Sequence, residues 1–130
     1  MKETAAIVWL KKAQEDLNWT RANIKGEIYY GACFTAQQAV EKALKAFLLH
    51  HQKKLIKIHD VSALLEECIL IDDSFSALRE TVLPLVDYYV QVRYPDVSDF
   101  MDYSREDAKD ALERATAVVN FIKERLGQKG

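Results

Sequence analysis

A chain of 130 residues that holds only four glycines and two prolines has few places to turn sharply. Proteins made of many short strands need a breaker at nearly every connection, so this scarcity points to long helices joined by few turns. The length suits one domain, since a single hydrophobic core usually serves about 100–200 residues. Residues 1–126 are expected to form that domain, with 127–130 a frayed tail.

Apolar residues make up 49% and charged residues 29% of the chain, the balance of an ordinary globular protein. No stretch approaches the roughly 18 consecutive apolar residues of a membrane span. The opening MKETAAIVWLKKAQEDL has a short apolar run but no small-residue cleavage site, so it does not read as a signal peptide. Cys33 and Cys68 both fall among apolar neighbours, where reduced, buried thiols are expected. These features together predict a cytoplasmic protein with no membrane association.

The net charge of −2 is unevenly spread: residues 1–65 carry ten Lys/Arg and six Asp/Glu, giving +4, and residues 66–130 carry eight and fourteen, giving −6. That distribution disfavours a generally basic nucleic-acid binder and leaves room for a local basic patch.

Periodicity predicts five helical segments. The first runs from about Thr4 to Ile24, with Leu10, Ala13, Leu17 and Ile24 on its buried stripe and Lys11, Lys12, Glu15 and Asp16 largely off it. Gly26 and Gly31 bracket a turn. The second, about Tyr30 to His51, gathers Tyr30, Cys33, Phe34, Val40, Leu44, Phe47 and Leu48 on one arc. At about 100° per residue, Gln37 and Glu41 fall inside that arc, and a polar pair there must find partners or lie at an interface. A third helix begins at the N-cap Asp60 and uses Val61, Leu64, Leu65 and Cys68. A fourth carries Phe75, Leu78, Val82, Leu85 and Tyr89, with Pro84 expected to kink or break it. The last is N-capped by Ser104 and buries Ala108, Ala111, Leu112, Ala115, Val118, Val119 and Ile122. Short connections and no repeat make this an all-α, up-down bundle of four or five helices.

Two constellations could carry chemistry. His50, His51 and His59 share a stretch with Lys53, Lys54 and Lys57. Adjacent histidines on a helix diverge by about 100° and no CxxC or HxxxH partner exists, so no metal is expected there. The stretch reads either as a solvated helix end or as a patch for phosphate or an acidic partner. The second is Tyr88, Tyr89, Arg93, Tyr94 and Asp96, where an Arg fork and tyrosine faces could meet a nucleotide or pack as core. Arg93 ends a helix that must pack on the arc holding Glu41, so the two are expected to pair, with Gln37 bridging nearby. No GxSxG, P-loop, GxGxxG, HExxH or EF-hand loop is present.

The stretch YYGACFTAQQAVEKALKAFLLHH, the His59-Asp60 pair before the third helix, and the RYPD of residues 93–96 resemble the minimal HEPN domains of bacteria and archaea. The resemblance covers nearly the whole chain. It implies a dimerising four- or five-helix bundle, often encoded beside a minimal nucleotidyltransferase, with a nucleotide as ligand. A binding site of Arg93, Tyr94, Asp96, Gln37, Glu41, Lys45, Lys53 and Lys54 follows from that implication. Many relatives are ribonucleases or toxins with an Arg followed four to six residues later by a His. Arg93 matches the Arg, but Ser98, Asp99 and Phe100 stand where the His should fall. The expected function is therefore a non-catalytic HEPN module that dimerises and partners a nucleotidyltransferase in a toxin–antitoxin-like system. One alternative is a metal-independent ribonuclease toxin using Arg93 and His59, with RNA as substrate. A further alternative is a stand-alone nucleotide or phosphate binder using Arg93 and the Lys53–Lys57 patch. No cofactor other than a nucleotide ligand is expected.

Overall fold

A computed structural model describes residues 4–52, 54, 57–88 and 103–127 of the chain. The elements are α1 (Ala5–Lys25), α2 (Tyr29–Gln52), α3 (Val61–Ile71), a 3-10 turn (Asp73–Leu78), α4 (Arg79–Val82), a second 3-10 turn (Leu83–Leu85) and α5 (Arg105–Arg125). Among the described residues there is no strand, and no helix is long and apolar enough to cross a membrane.

The helix starts are those the sequence signals. Thr4 Oγ1 accepts from the Ile7 amide at 3.3 Å, and Asp60 Oδ1 accepts from the Ser62 amide at 2.9 Å. Ser104 and Asp107 form a reciprocal capping box at the start of α5: Ser104 Oγ accepts from the Asp107 amide, and Asp107 Oδ2 accepts from the Ser104 amide.

The α1–α2 turn is tighter than Gly26 and Gly31 suggest. Only residues 26–28 lie outside the two helices. The left-handed position is occupied by Glu27 (φ 62°), and Gly31 is already inside α2. Gly31 serves close approach: a Cβ there would lie 3.0 Å from Ile28 Cγ2 and 3.3 Å from Asn23 Nδ2. So short a link folds α1 and α2 into a helical hairpin, and α5 packs against both of them while α3 packs on α2.

The second helix is the centre of the molecule. Ala32, Cys33, Ala36, Ala39, Val40, Ala43, Leu44, Ala46, Phe47 and Leu48 are all buried, so it is covered on nearly every side rather than along one arc. Its alanines, with Ala108, Ala111 and Ala115 on α5, let the helix axes come close. Tyr30 at its start is the exception, being exposed.

Around Pro84 the fourth helical segment is broken as the sequence predicts. It is divided into 3-10, α and 3-10 pieces, and the last of them, Leu83–Leu85, holds Pro84, which can donate no amide hydrogen to continue α4. Phe75, Leu78, Val82 and Leu85 still face inward. Phe75 packs between Phe47 (tilted, 4.4 Å between centroids) and Phe121 (edge-on, 4.9 Å). The Arg125 guanidinium lies 3.5 Å over the Phe121 ring and its Nη2 donates to Ser74 Oγ, closing that end of the core.

Candidate functional site

An isolated carboxylate inside a helix as apolar as α2 would be expensive to bury. Glu41 is buried there, and two cations or potential cations converge on one of its oxygens. Lys45 Nζ donates to Glu41 Oε2 at 3.0 Å from the next turn of the same helix. His59 Nδ1 lies 2.9 Å from the same oxygen and belongs to the connector before α3. The side chains of Glu41 and Lys45 are 6% and 5% exposed, whereas that of His59 is 58% exposed. Burial therefore runs outward from Glu41 and Lys45 to His59 at the surface. Lys45 also stands 5.9 Å above the Trp9 ring of α1, at the outer reach of a cation–π contact.

A carboxylate can only accept, so the Nδ1 that faces Glu41 carries a hydrogen. The other oxygen, Glu41 Oε1, and the amide nitrogen of Gln37 one turn earlier are buried without hydrogen-bond partners among the described residues. Gln37 Oε1 accepts from Gln38 Nε2 at 2.8 Å.

Of the site residues expected from sequence, the structure brings Glu41, Lys45 and His59 together and places Gln37 on the adjoining turn. Lys54 is exposed. Lys53, Arg93, Tyr94 and Asp96 lie outside the described residues, as does the expected Arg93–Glu41 pair. Tyr88 packs edge-on against Tyr103 at 5.3 Å between centroids, and burial pushes both its phenol and the neighbouring Cys33 thiol up, the thiol to about 12. Cys68, also raised to about 12 by burial, donates its thiol hydrogen to the Leu44 carbonyl. Both cysteines are free.

The three histidines go separate ways. His51 tilts against Phe47 at 4.4 Å and meets His50 edge-on at 5.0 Å, while His59 turns to Glu41. Among the described residues no group of three or more His, Cys, Asp or Glu could hold a metal ion.

A second polar set escaped the sequence reading. Asp16, expected largely off the stripe of α1, is 6% exposed and has Lys42 Nζ 2.8 Å from its Oδ2. One turn on, the Thr20 and Thr35 hydroxyls hydrogen-bond at 2.7 Å. A faint signal was available: on the helical wheel Asp16 lies about 40° from Thr20 and about 60° from Ala13, flanking the buried stripe rather than opposite it.

With this geometry in place, the comparisons are consistent from end to end. The family model described as “HEPN domain” matches residues 6–126. The chain is 30% identical to “Putative toxin MJ1304” of Methanocaldococcus jannaschii, over 95% of this chain and 90% of that protein. The crystal structure of TT1696 from Thermus thermophilus superposes with a TM-score of 0.85 at 31% identity, covering 94% of this chain and 98% of that one. The crystal structure of ST0689, an archaeal HEPN homologue, does so with a TM-score of 0.75 at 28% identity, covering 95% and 98%.

Proposed function

Since the chain belongs to the HEPN family, we propose that it is the toxin-type member of a toxin–antitoxin-like pair, a non-catalytic module that forms a homodimer and is held by a minimal nucleotidyltransferase. The observation that carries this reading is the similarity to a protein described as a toxin across nearly the full length of both chains. The non-catalytic part is supported by the sequence. All three histidines lie at positions 50, 51 and 59, so no proton-transfer imidazole follows Arg93 at the spacing the family's ribonucleases use. A nucleotide held near Arg93, Tyr94 and Asp96 belongs to the same reading.

The test is induced expression in a bacterial host, alone and together with a small nucleotidyltransferase encoded beside the gene. Growth arrest by the single protein, relief on co-expression and co-purification of the two are expected, with a dimer by light scattering. No growth defect, or a monomer at micromolar concentration, overturns the reading.

One observation favours a second reading, a metal-independent ribonuclease. The 2.9 Å contact between His59 Nδ1 and a buried carboxylate is the arrangement that orients an imidazole for proton transfer. Cleavage of single-stranded RNA by rigorously purified protein, abolished by His59→Ala, would select it over the first.

A further inference from the structure

We propose that the outer surface of α3 and α4 is a docking face for a basic amphipathic helix of a partner protein, with Leu70 and Leu83 as its apolar anchors. Leu70 is 81% exposed and Leu83 66%, the two most exposed large hydrophobic side chains among the described residues. Single leucines scattered over a surface are ordinary. These two are not scattered. Leu70 follows Glu66 by one turn of α3, and the Leu83 amide donates to the Arg79 carbonyl one turn back. Glu66 and Arg79 are themselves joined, Nε to Oε2 at 2.9 Å and Nη2 to Oε1 at 2.8 Å. One ion pair thus ties both leucines to a single surface, with Ile71 exposed beside Leu70 at the end of α3.

The core does not account for them. Val61, Leu64, Leu65 and Cys68 already form the buried face of α3, and Val82 and Leu85 turn inward on either side of Leu83. An apolar face left in water after the core is complete gains by losing that water to a partner.

The charge around the leucines selects the partner. Residues 60–87 hold seven Asp/Glu and, in Arg79, a single Lys/Arg, a net −6 within a chain whose total is −2. Arg79 answers Glu66 and Arg125 answers Asp72, but Glu67, Asp73, Glu80 and Asp87 form no ion pair among the described residues. A nucleic acid or an anionic membrane would be repelled by such a rim. A second copy meeting this face across a two-fold axis would set the same acids against one another. The described residues include no strand edge that an extended peptide could join. A helix with an apolar stripe flanked by Lys or Arg fits every term: its stripe covers Leu70 and Leu83, and its cations meet the acids that no residue of this chain answers. Such a face requires neither toxicity nor a nucleotidyltransferase, so its failure would leave the toxin–antitoxin reading standing.

The test uses the full chain and two labelled synthetic peptides of about five helical turns, with leucines at three-and-four spacing. One carries lysine at its remaining positions, the other glutamate. Fluorescence anisotropy should show saturable binding of the lysine peptide at about micromolar protein concentration, weakened by salt, and none of the glutamate peptide. Leu70→Ser and Leu83→Ser should each weaken binding about tenfold, the scale for a leucine that loses its place at an interface. Both positions are well exposed, so the variants should keep the helical circular dichroism of the wild type. Glu67→Gln with Asp87→Asn should flatten the salt dependence, and Trp19→Ser, at an exposed apolar position on α1, should change nothing. Unchanged affinity in both leucine variants would reduce the contact to general charge attraction and overturn the proposal. So would equal binding of the two peptides, or no binding at about millimolar concentration. A self-associated wild type that Leu70→Ser and Leu83→Ser make monomeric assigns the face to a second copy and overturns it equally.

Discussion

Two carboxylate–cation contacts in this molecule have nearly the same distances and opposite surroundings. Glu66 accepts from Arg79 Nε at 2.9 Å and Nη2 at 2.8 Å, a bidentate bridge between α3 and α4 with both side chains more than half exposed. Glu41 accepts from Lys45 at 3.0 Å with both side chains almost fully covered. On the surface, water competes for both charges and the pair has little left to contribute. In the core no water competes, so each partner depends on the other, and losing either strands a charge. Good hydrogen-bond geometry alone says nothing about importance; burial does.

The largest expected effect comes from breaking the buried pair. Lys45→Ala leaves Glu41 covered with its main compensating charge gone and should cost about 3–5 kcal/mol of unfolding free energy in urea denaturation. A loss below about 1 kcal/mol would mean that water reaches Glu41 and that the contrast with Glu66 is illusory. Lys42→Ala tests the intermediate case. Asp16 is buried, but its partner Lys42 is 29% exposed and its side chain can leave while water enters along the same path. A loss of about 1–3 kcal/mol, the scale for an unsatisfied buried acceptor, is expected by the same measurement.

His59→Ala removes only the outer partner of Glu41 and leaves Lys45 in place. Stability should fall by about 1 kcal/mol or less in urea denaturation, as for an exposed pair. A stability loss as large as that of Lys45→Ala would recast His59 as a structural strut.

The smallest effect belongs to the surface bridge. Arg79→Ala should leave the denaturation midpoint unmoved, since both groups are well solvated. It should nevertheless change a titration. The hydrogen bond from Arg79 holds the Glu66 carboxyl below its ordinary value, outweighing the opposing effect of desolvation, and Arg79's charge adds a smaller lowering. A folded-state value below the unfolded one means that any stabilisation is present at neutral pH and is lost as pH falls through the lowered value. Carbon-13 NMR of Glu66 should therefore show a depressed midpoint in the wild type that rises in Arg79→Ala. A midpoint insensitive to that substitution would remove the bridge from solution altogether.

Much of the fold could be read directly from the chain because local chemistry specifies it. Thr4, Asp60 and Ser104 each carry a side-chain acceptor at the point where helix amides would otherwise lack partners, so the starts of α1, α3 and α5 were visible as residue types. Pro84 announced its own break. The Gly26–Gly31 turn misled by a few residues because glycine has two uses. Gly31 answers the need for space against Ile28 and Asn23, and Glu27, not a glycine, holds the left-handed backbone of the turn.

The sequence by itself determined the all-α architecture, the limits of α1 and α2 to within a residue, the starts of α3 and α5, most of the inward faces and the HEPN likeness, because caps, breakers and a 3.6-residue period are properties of neighbours in the chain. It also marked Glu41 as a polar residue in apolar company, and a helical wheel can do that much. Which groups answer Glu41 was decided only in three dimensions. Lys45 is four residues away and could have been paired with it on paper, but His59 arrives from a connector eighteen residues further on, just before the start of α3. The same holds for Asp16 with Lys42 and Thr20 with Thr35, which join two helices at separations no periodicity records. A wheel assigns each residue to a face of its own helix; only packing decides what that face meets, and whether water is present when it does.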